Sequence, residues 1–377
     1  MNKKCKIIRS VFFRFLCLIL VVISIFLIPT RSQIINDNMS RIYGYFVGEK
    51  SKFNGLIEIW NIDSFESGSL SKEAILNFAA SEFQKKYRGC YVLVRNISEQ
   101  ECLNMLLQGQ KPDLFSCSYG VSGKIADYLQ GFEIQDFGLN ENFLQAGKVN
   151  DSLFGVAWCC GLYFLMTTKK SLSNAMVEYN QDFSLSKNAF LLGYQTGNKK
   201  KKNIYSVVFS NKGYLMPKAS LLAYNKIEEN KISELSFNKT KSYSQYDAYI
   251  DFLIGNSVLL LGTQRDVVRL NNRIKNGKIQ DVIYEPILSS SDLVQFMFLA
   301  KSDDENKRNY IEKFVLMLFD KNIQKKISEA NLFSTLKDAE FQYEIEVMNS
   351  ISNEHISNLK INNAFLSKSE TSKFQSY

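Results

Sequence analysis

One histidine, His355, occurs in 377 residues, and it lies close to the C-terminus. A lone histidine in that place argues against a histidine-based catalytic triad and against a histidine-rich metal site. Cysteine is also scarce once it is placed. Of seven, Cys5 and Cys17 fall in the first 32 residues, leaving Cys90, Cys102, Cys117, Cys159 and Cys160. An odd number with two adjacent members is no disulfide framework, and without a C-x-x-C spacing no zinc site is expected. These cysteines are expected to be reduced, small, buried apolar residues. No internal repeat and no low-complexity tract is present. Positive charge is less abundant than the net +8 suggests, because six basic and no acidic residues in the first 32 leave +2 for the remainder. The run Lys199–Lys202 is the one strong basic patch outside the leader and sits between Gly197 and Asn203, as a solvated loop tip would. It reads as a solvated loop, and no nucleic-acid partner is expected.

What is present begins with a leader. Lys3, Lys4, Lys6 and Arg9 precede the apolar stretch Val11–Ile28, whose only charge is Arg14. A basic region followed by an apolar one is the pattern of an export signal. The uncharged run Phe15–Thr30 is at the short end of what spans a bilayer, and no small-x-small cleavage site follows it. Residues 1–32 therefore read as a signal peptide or an uncleaved signal anchor, and residues 33–54 as a spacer. Cys17 is no lipoprotein cysteine, since Phe15-Leu16 precede it. The mature chain is expected outside the cytoplasm, secreted or membrane-associated.

Beyond the spacer the pattern alternates. Leu56–Trp60, Cys90–Val94 and Leu114–Cys117 read as strands, with helices over Leu70–Tyr87 and from a Ser98–Glu101 capping box to Gln108. Strand–helix–strand–helix–strand calls for a parallel sheet with right-handed crossovers. Further strands are expected at Leu153–Trp158, Leu162–Thr167, Ser257–Leu261 and Leu293–Ala300. Helices are expected at Tyr243–Leu253, Thr263–Lys275, Asn306–Phe319 and Ile323–Ala330. In an open parallel sheet, ligands bind beyond the carboxyl ends of the strands. Trp60-Asn61-Ile62-Asp63 and Cys117-Ser118-Tyr119-Gly120 should thus leave the sheet at one edge.

Five segments, taken in order, resemble the extracytoplasmic sugar-binding proteins (family 1 solute-binding type) of bacterial ABC importers. They are "IWNIDSFESG", "KPDLFSCSYGV", "GVAWCCGLYFL", "VLLLGTQRDVVRL" and "NIQKKISEANLFS". The resemblance implies an α/β, two-lobed periplasmic-binding-protein-like fold of type II, with hinge-connected lobes and a ligand cleft between them. It implies lobe 1 at residues 55–122 plus 290–345, lobe 2 at 123–289 and a polar tail at 346–377. It further implies a carbohydrate ligand, permease subunits as partners, a monomer, and no cofactor, metal or catalysis. Ala157 and Leu162 depart from the usual proline and glycine of the third segment, which would reshape the pocket.

The ligand-binding residues expected on this basis are Trp60, Asp63, Glu66, Ser118, Tyr119, Trp158, Gln264 and Arg265. Most have a plainer alternative. Trp60 at a strand end can be core, and Tyr119 and Trp158 can be lobe packing. Asp63 can cap the following helix. Gln264, Arg265 and Asp266 can form a solvated first helical turn, with Asp266 orienting Arg265. On the cleft reading, Asp63→Asn weakens sugar binding and leaves folding nearly unchanged. Two alternatives in function stand beside transport: a membrane-tethered sugar receptor reporting to a sensor, and a glycosidase using Asp63 and Glu66.

Overall fold

The computed structural model describes residues 48–174, 184–188, 205–210, 217–226, 245–340 and 342–366. The leader, the run Lys199–Lys202 and the end of the C-terminal segment lie outside the described residues. Two compact units are present: Met1–Leu56 with Ala80–Val92, and Ile57–Ala79 with Leu93–Tyr377. In the smaller unit, the Phe83 and Tyr87 rings pack at a tilt with centroids 4.7 Å apart, and the Cys90 thiol lies 3.3 Å from Ser51 Oγ. All else below concerns the larger unit, apart from strands that run through both.

In chain order the strands are β1 (Glu49–Asn61), β2 (Tyr87–Asn96), β3 (Leu114–Cys117), β4 (Leu129–Gln130), β5 (Lys148–Val149), β6 (Ser152–Leu153) and β7 (Gly155–Cys160). They continue with β8 (Tyr163–Thr168), β9 (Tyr205–Phe209), β10 (Ser257–Thr263), β11 (Val282–Ile287) and β12 (Val294–Ala300). The first sheet has the order β2–β1–β3–β12–β4, with β7 also on β12. β1 and β3 are parallel, Asn61 opposite Ser116, so both leave the sheet at one edge as the sequence predicts. The second sheet has the order β11–β8–β10–β9. β8 is antiparallel to both neighbours, and β9 is parallel to β10.

Unbroken apolar runs make the inner strands. Every residue of β10 and β12 is buried, as are five of the six in β8. A strand without polar alternation is one covered on both faces. The covering helices include Gln245–Leu253 and Gln264–Lys275 on the second sheet. Each fully buried Val, Leu, Phe or Met contributes about 1.5–3 kcal/mol. Helix starts follow their caps: Ser98 accepts from the Glu101 amide, Asp304 from the Lys307 amide, and Thr263 forms a capping box with Asp266.

The chain passes from the first sheet to the second within Gly161–Leu162 and returns between Ile287 and Val294. The two passages are tied together. The Gly161 amide donates to Leu293 O at 2.6 Å, and Ser291 Oγ donates to Gly161 O at 3.0 Å. Tyr163 donates its hydroxyl to Asp292 at 2.6 Å.

The chain leaves the first sheet at 161–162, since β4 and β7 both pair with β12 of that sheet. β7 and β8 look like a hairpin in sequence, but each finds a different sheet. The spacer ends earlier than residue 54, since β1 starts at Glu49. Residues 346–366 are no loose polar tail. They carry helices Glu346–Asn349 and Asn353–Ser357 and bury Met348, Ile351, Ile356, Leu359 and Ala364. The carbonyls of Ile356 and Leu359 accept from the Asn142 amide. Strands β9 and β11 were not anticipated; β11 is only half-buried and carries Pro286, as suits an edge strand.

Candidate functional site

The loop after β1, Ile62–Ser71, faces the start of the helix Gln264–Lys275, and Gly68 marks the closest approach. Its amide donates to Ala330 O at 2.8 Å, and a Cβ there would come within 2.5 Å of Asn331 Cβ and 2.9 Å of Val268 Cγ2. Only glycine lets the loop lie this close.

Polar bonds join the two walls. Gln264, wholly buried, donates from Nε2 to Glu66 O at 2.8 Å and accepts from the Leu162 amide at 3.1 Å. Arg265 donates to Gly68 O at 2.6 Å. The Glu66 carboxylate is 3.1 Å from Arg269 Nη2 and 3.8 Å from Arg265 Nε. Arg269 reaches Asp266 with its other nitrogen, also at 3.1 Å. Burial pushes the Asp266 carboxyl up to about 6, against the pull of Arg269 and of the Thr263 amide that donates to it. Asp266 thus orients Arg269 and caps its helix; the expectation that it orients Arg265 is corrected.

Asp63 behaves differently from expectation. Its side chain is one-third exposed and lies 3.2 Å from the ammonium of Lys72, which is 1% exposed. That ammonium also donates to Phe65 O and sits 3.8 Å above the Phe65 ring. Asp63 is therefore the counter-ion of a buried cation, so Asn at this position would not be neutral to folding.

These residues enclose a cavity of about 270 Å³ lined by Asp63–Ser67, Ser69, Ser71 and Arg265. The structure thus brings three of the eight expected site residues, Asp63, Glu66 and Arg265, onto one surface, with Gln264 bridging behind it. The others do not line this cavity. Trp60 is buried with its ring edge against Phe115 at 5.8 Å and its indole donating to Glu58 at 2.9 Å. Ser118 donates to Asp292 O at 3.3 Å. Tyr119 packs edge-on against Phe296 and donates to Asn362 O at 2.7 Å, and burial raises its phenol well above the ordinary range. Trp158 has no exposed surface, and its indole nitrogen has no hydrogen-bond partner. Trp60, Tyr119 and Trp158 are thus buried in the core.

Two contributors escaped sequence reasoning. Arg269 stands four residues after Arg265, on the same helical face, and that spacing was a usable signal. Lys72, next to Ser71 at a helix start, carried none. The five cysteines among the described residues are buried and form no disulfide, as expected. No group of His, Cys, Asp and Glu among the described residues could hold a metal ion.

No protein-family model matches the chain, and no curated protein matches it by sequence. Solved structures do match in fold. The GacH receptor of Streptomyces glaucescens, solved unliganded and with acarbose, superposes with a TM-score of 0.61 at 12% identity, over 86% of this chain and 92% of that one. The sugar-binding protein MalE of Xanthomonas citri superposes at 0.58 and 12% identity, over 85% and 89%. Iron-bound HitA of Pseudomonas aeruginosa superposes at 0.52 and 13% identity, over 85% and 98%. The α/β fold is thus the two-lobed one of periplasmic-type binding proteins. A fold that holds both sugars and iron does not name a ligand; the site must.

Proposed function

We propose that the chain is an extracytoplasmic solute-binding protein that captures a carbohydrate and delivers it, as a monomer, to the permease subunits of an ABC importer. The observation that carries this reading is the cavity walled by Asp63, Glu66 and four serines of one loop and by Arg265 of the facing helix. Hydroxyls, carboxylates and a guanidinium lining one surface suit a polyhydroxylated ligand. The sugar-binding proteins among the structural neighbours support the same reading, as does the leader for a place outside the cytoplasm. A ligand held by both walls favours the closed state by as much as it binds that state better.

The glycosidase alternative is disfavoured by placement. Acid and base must flank the scissile bond. Asp63 and Glu66 sit on one short loop, each facing a cation. The sensor-coupled receptor differs from the importer subunit only in its partner, and co-purification with permease subunits separates them.

The test is a thermal-shift screen against mono- and oligosaccharides, with the sugars recovered afterwards. A ligand at a hundred times its Kd stabilises by about 2.7 kcal/mol, which raises the midpoint measurably. A saturable rise with the sugar recovered intact is expected. Cleaved sugar would support the enzyme, and no response to any carbohydrate would reject sugar capture.

A further inference from the structure

Resting on that reading, we infer that the cavity takes a single neutral sugar ring rather than an oligosaccharide or a charged sugar. Size gives the first argument. About 270 Å³ is below the roughly 300–1,000 Å³ of pockets that enclose drug-sized ligands. One sugar ring is enough to occupy a space of this size and to touch both the loop and Arg265.

The walls give the second argument. An oligosaccharide gains much of its affinity by laying apolar ring faces on aromatic side chains, which offer large rigid surfaces. The one aromatic residue in the lining, Phe65, is 3% exposed, and the Lys72 ammonium occupies its face at 3.8 Å. Trp60, Tyr119 and Trp158 are buried elsewhere. Among the described residues that line this cavity, none offers an aromatic face on which a second ring could lie.

Charge gives the third. The anions that line or back the cavity are Asp63, Glu66 and Asp266; the cations are Lys72, Arg265 and Arg269. They are matched in pairs: Asp63 with Lys72 at 3.2 Å, Asp266 with Arg269 at 3.1 Å, and Glu66 with Arg269 at 3.1 Å and Arg265 at 3.8 Å. The sum is zero. A carboxylated or aminated sugar would bring a charge with no unmatched counter-charge to meet it, and would lose its own hydration on entry. Hydroxyls suit the site better. A hydroxyl can donate to one lining group and accept from another without bringing a charge.

Titration calorimetry on the purified protein tests this with four kinds of probe: neutral hexoses and pentoses, their linear trisaccharides, glucuronate and glucosamine. At least one neutral monosaccharide should bind, its trisaccharide no more tightly, and both charged sugars at least tenfold more weakly. A trisaccharide bound tenfold more tightly than its monomer, or a charged sugar bound best, overturns the inference and leaves carbohydrate capture standing. Absence of binding by every sugar overturns both. The variant Glu66→Gln keeps the side-chain shape and gives the site one net positive charge. Its preference for glucuronate over the neutral sugar should rise at least tenfold relative to the unsubstituted protein. An unchanged preference in a folded variant overturns the charge argument.

Discussion

The two walls of the cavity are built on opposite principles. The loop Ile62–Ser71 is irregular, and it keeps two carboxylates partly in water, Asp63 at 34% and Glu66 at 42% exposure. The facing wall is the first turn of a helix. Its groups are fixed by the Thr263–Asp266 capping box, and Gln264 and Asp266 are buried. The loop wall supplies charge that water can still reach. The helix wall supplies geometry that water cannot relax. Substitutions should therefore act differently on the two sides, and the burial of the partner, not of the substituted residue, sets the cost.

The largest effect is expected on the exposed side for that reason. Asp63→Asn leaves the Lys72 ammonium buried without its counter-ion and should destabilise by about 3–5 kcal/mol. The reverse change, Lys72→Met, leaves Asp63 one-third exposed and hydrated, and should cost less, about 1–3 kcal/mol. Urea denaturation of both variants measures the asymmetry, and equal costs would show that the burial of the partner left behind does not set the cost. This outcome also replaces the reading of Asp63 as a carboxylate that folding ignores.

Next comes Gln264→Ala on the helix wall. It orphans the Leu162 amide and the Glu66 carbonyl, each worth about 1–3 kcal/mol, so a loss of about 2–4 kcal/mol is expected. Chemical denaturation reads it, and a loss under about 0.5 kcal/mol would show that water replaces the amide freely.

Third is the pH dependence of Asp266. Its folded value of about 6 lies above the usual 3.8, so between those values the folded state holds more protons than the unfolded state. The contribution is therefore most favourable below pH 3.8 and is lost as pH rises through 6. At 1.36 kcal/mol for each pH unit, the loss is on the order of 2–3 kcal/mol. Stability measured from pH 4 to 7 should contain this falling component, and Asp266→Asn should lack it. A variant with the unchanged profile would assign the component to another group.

The smallest effect should come from the exposed pair itself. Glu66→Gln breaks ion pairs at a side chain 42% exposed, and its cost to stability should be at most about 1 kcal/mol. A loss of several kcal/mol in thermal or urea unfolding would mean that Glu66 holds the walls together as firmly as Gln264 does.

Local order determined what the sequence could reveal alone. Continuous apolar runs announced β3, β10 and β12, helix caps announced where helices start, and the alternation of the first five elements announced a parallel β1–β3 pair. The strand-end rule then placed Asp63 near a cavity, because exit direction follows from parallel pairing. Pairing between distant segments decided the rest. That β7 joins β12 and β8 joins β10 depends on partners more than ninety residues away, so neither strand's own residues distinguish one sheet from the other. Trp60 and Tyr119 became packing residues because Phe115 and Phe296 lie beside them, and Asp63 became a counter-ion because Lys72 is buried where its ammonium arrives. Burial and charge pairing belong to the assembled interior, where removal from water strengthens each contact and penalises each missing partner; no single stretch of sequence carries them.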